Sequence, residues 1–165
     1  MNVFNKTAIL IALAACAAGA QAASTNVYGV ADIGYNHTKL GGLSVHSLDS
    51  SGKSDSFIGF KAVENMGNGV NAFVTLEAGY NLDTGATADN LFNREASIGV
   101  NSGAHTLKAG RLQSLNYAAV KEFDVFGGGN LGVARLSQHT AEYNSNAVGY
   151  SLGHGNFTFG AQHVF

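Results

Sequence analysis

Residues 56–85 read SFIGFKAVENMGNGVNAFVTLEAGYNLDTG, two runs that alternate in polarity about an Asn/Gly turn. In the first run Ile58, Phe60 and Ala62 share one parity, and Gly59 and Lys61 take the other. In the second, Val70, Ala72, Val74, Leu76, Ala78 and Tyr80 oppose Asn71, Thr75, Glu77 and Asn81. A period of two belongs to a β-strand, whose successive side chains point to opposite faces. An Asn-Gly pair between two such runs signals a hairpin. A soluble hairpin with one face on a core has the same pattern, so periodicity fixes strands and leaves their surroundings open.

The N-terminus bears on the surroundings. Lys6 supplies a positive charge, Thr7 to Ala18 an apolar stretch too short to span a bilayer, and Ala20-Gln21-Ala22 the small-x-small pattern of a signal-peptidase site. Residues 1–22 are therefore read as a signal peptide and 23–165 as the mature segment. Leu13-Ala14-Ala15-Cys16 also fits the pattern before a lipidated cysteine, but the Ala20-Gln21-Ala22 site is better separated from the apolar stretch. Cys16 is the one cysteine of the chain, and if it leaves with the leader no thiol chemistry remains. No later segment approaches the roughly 20 apolar residues of a membrane helix, so membrane residence must come from strands.

Composition agrees with a wall that has one apolar and one wet face. Charged residues make up 12% of the chain, about half the soluble average, yet mean hydropathy is only +0.06. The net charge of −2 and the absence of any Lys/Arg run leave no footprint for nucleic acid.

The period-two template gives about seven strands over the whole chain. The first lies near 25–36, with Val27, Ala31, Ile33 and Tyr35 opposite Tyr28, Asp32 and Asn36. The two strands of the quoted hairpin follow. A fourth lies near 92–101, with Ala96, Ile98 and Val100 on its apolar side, and a fifth near 105–111 after Ser102-Gly103-Ala104. The sixth and seventh, near 142–152 and 156–165, are split by Gly153-His154-Gly155-Asn156. The intervening connections alternate between long and short, as in outer-membrane barrels with long loops on one side and tight turns on the other.

The quoted hairpin, followed by LFNREASIGVNSGAHTLKAGR and AEYNSNAVGYSLGHGNFTFGAQ, with NVYGVADIGY near the start, resembles the Gram-negative general porin family of β-proteobacterial type. The match is ordered and covers nearly all of the mature segment. The resemblance implies an all-β fold, an antiparallel transmembrane β-barrel of 16 strands assembled as an outer-membrane homotrimer, with a long loop folded into each pore. It implies passive diffusion of ions and small hydrophilic solutes, no enzymatic activity and no cofactor, with outer-membrane lipid and the barrel assembly machinery as partners.

Departures from the family accompany the match. Phe57 stands where the family usually carries Arg, Ala62 where it carries Gly and Asn65 where it carries Asp. Sixteen strands of roughly 10 residues plus loops need about 300 residues, and this chain has 165. Two readings of the length follow. In one, the chain is the N-terminal half of a porin, truncated before closure and non-conducting by itself. In the other, Phe157, Phe159 and Phe165 on one parity make FTFGAQHVF the terminal strand of a small complete barrel that binds through its loops. His163 in an apolar place counts against the second.

Pore physics selects the candidate sites, since a water-filled lumen discriminates by its radius and by charges facing each other across it. Asp32, Lys61, Glu77 and Lys108 fall on the polar parity. The long segment 112–141 is the candidate constriction loop. There the resemblance places Tyr117, Glu122 and Asp124, with Asp124-Val125-Phe126-Gly127 similar to an Asp-Pro-Phe-Gly element that has lost its Pro. Arg94 and Arg111 match family positions, but strict alternation puts both on the apolar parity near strand ends, where a bulge or snorkelling can redirect them.

Other patterns lack their context. Gly127, Gly129 and Gly132 satisfy GxGxxG without a surrounding βαβ unit. The six histidines show neither i, i+2 nor i, i+4 pairing and read as loop or girdle residues, with no metal site among them. Ser and Asp near His46 form no nucleophile motif.

Overall fold

The computed structural model describes residues 24–87, 90–126, 129–130, 132 and 141–165. The expected leader with Cys16, and also Gly127 and His139, lie outside these residues.

Seven strands form one antiparallel sheet: β1 (Ser24–Val30), β4 (Phe57–Gly67), β5 (Val70–Gly79), β6 (Ala96–Ser102), β7 (His105–Gln113), β8 (Tyr143–His154) and β9 (Phe157–Val164), hydrogen-bonded in that order. Two further strands, β2 (Ile33–Leu40) and β3 (Leu43–Ser50), pair only with each other. One helix, α1 (Leu115–Glu122), lies in the connection after β7. The fold is all-β and antiparallel, as the alternation requires. Within the sheet each strand pairs with its neighbour in sequence, except that the β2–β3 hairpin is inserted between β1 and β4. Sheet edges lie at β1 and β9.

The expected first strand, 25–36, is where the chain differs from its sequence pattern. Its alternation is real on both sides of Ala31, but the chain leaves the sheet at Val30 and restarts as β2 of a separate hairpin. The break is held by Asp32. Its carboxylate accepts the amides of Gly52 (3.2 Å), Lys53 (3.0 Å) and Ser54 (2.8 Å), and its own amide donates to Ser56 Oγ (2.9 Å). Strand periodicity carries no information on which sheet a strand joins, so two strands on either side of a turn read as one.

Tight turns join β4 to β5, β6 to β7 and β8 to β9. In the first of these Gly67, Asn68 and Gly69 all have positive φ (85°, 51° and 75°), the left-handed backbone that two-residue hairpins demand and that Gly and Asn tolerate. The other connections, 31–56, 80–95 and 114–142, are long. A β-bulge interrupts the β7–β8 ladder between Gly110 and Leu112. Gly110 sits there at φ 129°, where an added Cβ would lie 2.3 Å from the Ala96 carbonyl oxygen.

The register sorts side chains into two sets. Opposite partners such as Phe60 and Leu76, Val74 and Ile98, Leu107 and Tyr150, and Leu152 and Phe159 place large apolar groups on one face across the whole sheet. Most of these groups are exposed, Ile98 at 65% and Phe159 at 61%, while Val74, Leu76 and Leu152 are half-buried. The other face carries Asn26 opposite Lys61, Lys61 opposite Thr75, Asn71 opposite Asn101, and Gly149 opposite both Lys108 and Gln162. Its buried residues include Phe73, Thr75 and Ser97. A water-soluble sheet buries its apolar face against a second layer; here that face is open.

Cysteine scanning in a membrane tests the sorting. Cysteines at Leu76, Ile98 and Phe159 are expected to resist a charged thiol reagent, and those at Lys61, Asn101 and Gln162 to react. Equal labelling of the two sets would overturn the assignment of faces.

Candidate functional site

The polar face gathers its charges between β4 and β8. Glu77, on β5, accepts from the Tyr28 hydroxyl (2.7 Å) through one oxygen and from Arg94 Nε (3.4 Å) through the other. Arg94 also reaches Asp55 (3.5 Å). Its guanidinium lies 4.4 Å from the centroid of the Phe57 ring and 5.5 Å from that of Tyr143. The Arg94 and Glu77 side chains are only 15% and 13% exposed. A planar guanidinium that pairs with carboxylates and stacks on aromatic faces suits such a half-buried position better than an ammonium.

Arg94 and Arg111 thus escape the apolar parity that strict alternation assigns. Arg94 precedes β6, outside the ladder, and its chain turns over the polar face. Arg111 sits in the β7 bulge, donating to the Asn93 carbonyl (2.9 Å) and to Ser145 Oγ (2.8 Å), with its guanidinium 5.5 Å from the Tyr143 ring centroid. Both line a cavity of about 570 Å³ that also touches Asp55, Asn93, Glu142 and Tyr143.

A second group surrounds Phe73. This residue lies on the polar parity of β5, and its ring covers Gly99 so closely that a Cβ there would fall 2.5 Å from Cζ. Lys61 and Lys108 extend over the same ring, at 5.9 and 5.8 Å from its centroid. Lys108 is ion-paired with Glu95 (2.9 Å), which also accepts from Ser97 Oγ (2.6 Å). Lys61 has no carboxylate within ion-pair distance among the described residues.

The long connection after β7 returns over the polar face. Ser114 caps α1 by accepting from the Tyr117 amide (3.2 Å) and donates its own amide to the Glu142 carbonyl (2.9 Å). Tyr117 is 3% exposed and lines a cavity of about 160 Å³ with Phe57, Arg94 and Lys121. Leu115 packs against Gly160 of β9, which leaves 3.3 Å to a Cβ added there. Farther along, Asn130 donates its amide to the Lys53 carbonyl (2.9 Å) and its side-chain amide to the Ser51 carbonyl.

The sequence-selected residues therefore occupy different situations. Lys61, Glu77, Arg94, Lys108 and Arg111 come together on or beside the polar face. Asp32 lies outside the sheet as the clamp of the first connection. Tyr117 is a buried anchor of α1. Glu122 is exposed at the end of α1, and Asp124 accepts from the Phe126 amide (2.9 Å). The acids paired with the wall cations are Asp55, Glu77 and Glu95. Asp55 and Glu95 escaped sequence reasoning because they flank strands, where alternation assigns no face. Phe73 escaped it as an aromatic on a parity otherwise read as wet.

A model of the Gram-negative porin family matches residues 7–165. An outer membrane porin protein of Bordetella pertussis is 30% identical over 184 aligned residues, which cover 97% of this chain and 48% of the relative. An anion-selective porin from Comamonas acidovorans superposes with a TM-score of 0.71 at 20% identity, over 87% of this chain and 47% of that one. The chain thus spans about half the length of the proteins that it matches.

Two outcomes follow from the geometry. Arg94→Ala leaves Glu77 and Asp55 without their shared cation on a half-buried surface, a loss on the order of 1–3 kcal/mol, and thermal unfolding in detergent should shift further than for Lys61→Ala. The amide of Ser54, opposed by partial burial and helped by the amides of Lys53 and Gly52, holds the Asp32 carboxyl below its ordinary value of 3.8. The clamp's contribution is therefore complete above that value and is lost as pH falls through the lower folded-state value. Protection of the amides of residues 52–54, relative to their intrinsic exchange rate at each pH, should persist down to about pH 4 and fall below it; Asp32→Asn should show low protection throughout.

Proposed function

This chain belongs to the Gram-negative porin family, and from that premise we propose that it contributes the wall and constriction of a water-filled outer-membrane channel for ions and small hydrophilic solutes. The observation that supports this best is the sorting of the sheet. An exposed apolar face runs across seven strands, and opposite it lies a charged face over which the longest connection folds. A lipid-facing wall and a wet lumen require that division.

Further strands hydrogen-bonded to the edges at β1 and β9 would close the wall, since an open edge in hydrocarbon costs several kcal/mol for each unpaired backbone group. Assembly of the closed barrel as a homotrimer of 16-stranded subunits, export through the leader in residues 1–22 and insertion by the barrel assembly machinery belong to the same reading.

Lumenal selectivity in this proposal depends on the balance of charges that remain uncompensated. Arg94 and Lys108 each sit beside a carboxylate, so their fields are largely cancelled a few ångströms away. Lys61, with only an aromatic ring beneath it, acts on passing ions. Glu122, exposed on the returning connection, opposes it with Asp124 nearby, and the transverse field between loop and wall reaches about 8 Å at physiological salt.

Planar-bilayer recording of the closed barrel that contains this segment tests the proposal. Conductance is expected. Lys61→Gln should shift the reversal potential towards cations more than Lys108→Gln does. Glu122→Gln with Asp124→Asn should shift it towards anions, and all shifts should shrink in 1 M salt. A barrel without conductance would sink the channel reading; conductance with unchanged selectivity in every variant would remove only the named residues from the constriction.

A further inference from the structure

The β2–β3 hairpin stands apart from the charge network of the wall and brings together two imidazoles nine residues apart in sequence. His37 and His46 are direct cross-strand partners. Their rings stack at 4.3 Å between centroids and 8° between planes. Ser44 Oγ lies 2.8 Å from His37 Nε2 and 3.5 Å from His46 Nε2, so both nitrogens lie beside one hydroxyl. On its other side His46 is held through Nδ1 by the Tyr35 hydroxyl, with the Tyr35 ring stacked at 5.9 Å. All four residues are exposed.

We propose that His37 and His46 form a surface site for a borderline divalent transition-metal ion, Cu²⁺ ahead of Ni²⁺ and Zn²⁺. The two Nε2 atoms are the protein ligands, and the Ser44 hydroxyl and water complete the shell. Imidazole nitrogen suits these ions, and Cu²⁺ heads the divalent affinity order. Ligation needs each nitrogen at roughly 2.0–2.1 Å with the ion in the plane of each ring, so the stacked rings must first tilt apart, which the exposed side chains are free to do. The strand ladder fixes both backbones, so chelation orders only the two side chains. A ligating histidine characteristically commits its second nitrogen to a neighbour that sets ring and tautomer, and Tyr35 is so placed on His46.

The charges around the site set its character. Lys39 shares the face and is the direct partner of Ser44, so it opposes cation binding. Asp49 lies on the opposite face, accepting from Asn36 and Ser47 (3.0 Å for the latter), and supplies no ligand. Two neutral ligands without a carboxylate make an open, exchangeable site. It belongs to a long connection, at the end of the sheet opposite the three tight turns, and does not depend on conduction.

Cu²⁺ titration of the full chain in detergent, followed by calorimetry and electron paramagnetic resonance, tests the proposal. One equivalent that binds ahead of any other, with two equatorial imidazole nitrogens, is expected. His37→Asn and His46→Asn should each weaken it by more than about tenfold, to the level of the double variant. Tyr35→Phe should weaken it less, and His105→Asn should leave it unchanged. A wild-type spectrum with a single imidazole nitrogen would overturn the site. So would a folded double variant, identified by an unchanged tryptic fragment pattern, that binds this first Cu²⁺ as the wild type does.

Discussion

A wall one sheet thick gives each side chain two destinations and no interior. The antiparallel ladder from β1 to β9 satisfies the backbone of the inner strands, and its pleat sends neighbours to opposite faces. Much else in the structure depends on that constraint. Large apolar groups such as Ile58, Ile98 and Phe159 stay exposed without a second layer to cover them. Charged groups collect on the opposite face, where they must be paired or wetted. Departures from the pleat occur at particular places, Gly110 at the bulge and Arg94 just before β6, and each turns an arginine towards the same cavity.

Among the described residues, the charge network pairs two of the four cations on or beside the polar face, Arg94 and Lys108, with carboxylates. Glu77 holds Tyr28 and Arg94 from two different elements, and Glu95 holds Lys108 across the β6–β7 pair. In each pairing one partner, Arg94 or Glu95, lies just before β6, where the chain is outside the ladder. Aromatic faces lie beside the same cations: Phe57 and Tyr143 beside Arg94, and Phe73 beneath Lys61 and Lys108. Lys61 is the member of this set that keeps an ammonium with no counter-ion among the described residues.

The long connections are tied to one another as well as to the wall. Asp32 gathers the amides of residues 52–54, Asn130 reaches the carbonyls of Ser51 and Lys53, and Ser50 Oγ accepts from the Leu82 amide (2.9 Å). These contacts hold three connections at one end of the sheet. Tyr117, buried beneath α1, and Leu115 against Gly160 set the returning helix on the polar face. The β2–β3 hairpin projects beyond this cluster with Tyr35, His37 and His46 exposed.

The period-two pattern determined the strands of the seven-stranded sheet, their two faces and the alternation of tight turns with long connections, because a strand's faces follow from parity alone; β3 (Leu43–Ser50) fell in a segment read as a connection. It therefore placed Lys61, Glu77 and Lys108 on the polar face from sequence. Parity says nothing once the chain leaves a ladder. Only the tertiary structure decided that the strand expected at 25–36 breaks at Ala31, that Asp32 clamps a connection, that Asp55 and Glu95 supply counter-charges, and that Arg94 and Arg111 share a cavity. His37 and His46, nine residues apart with no local motif between them, became neighbours only through the register of the β2–β3 ladder. Register and loop return are fixed by pairing between segments, which parity within either segment does not record.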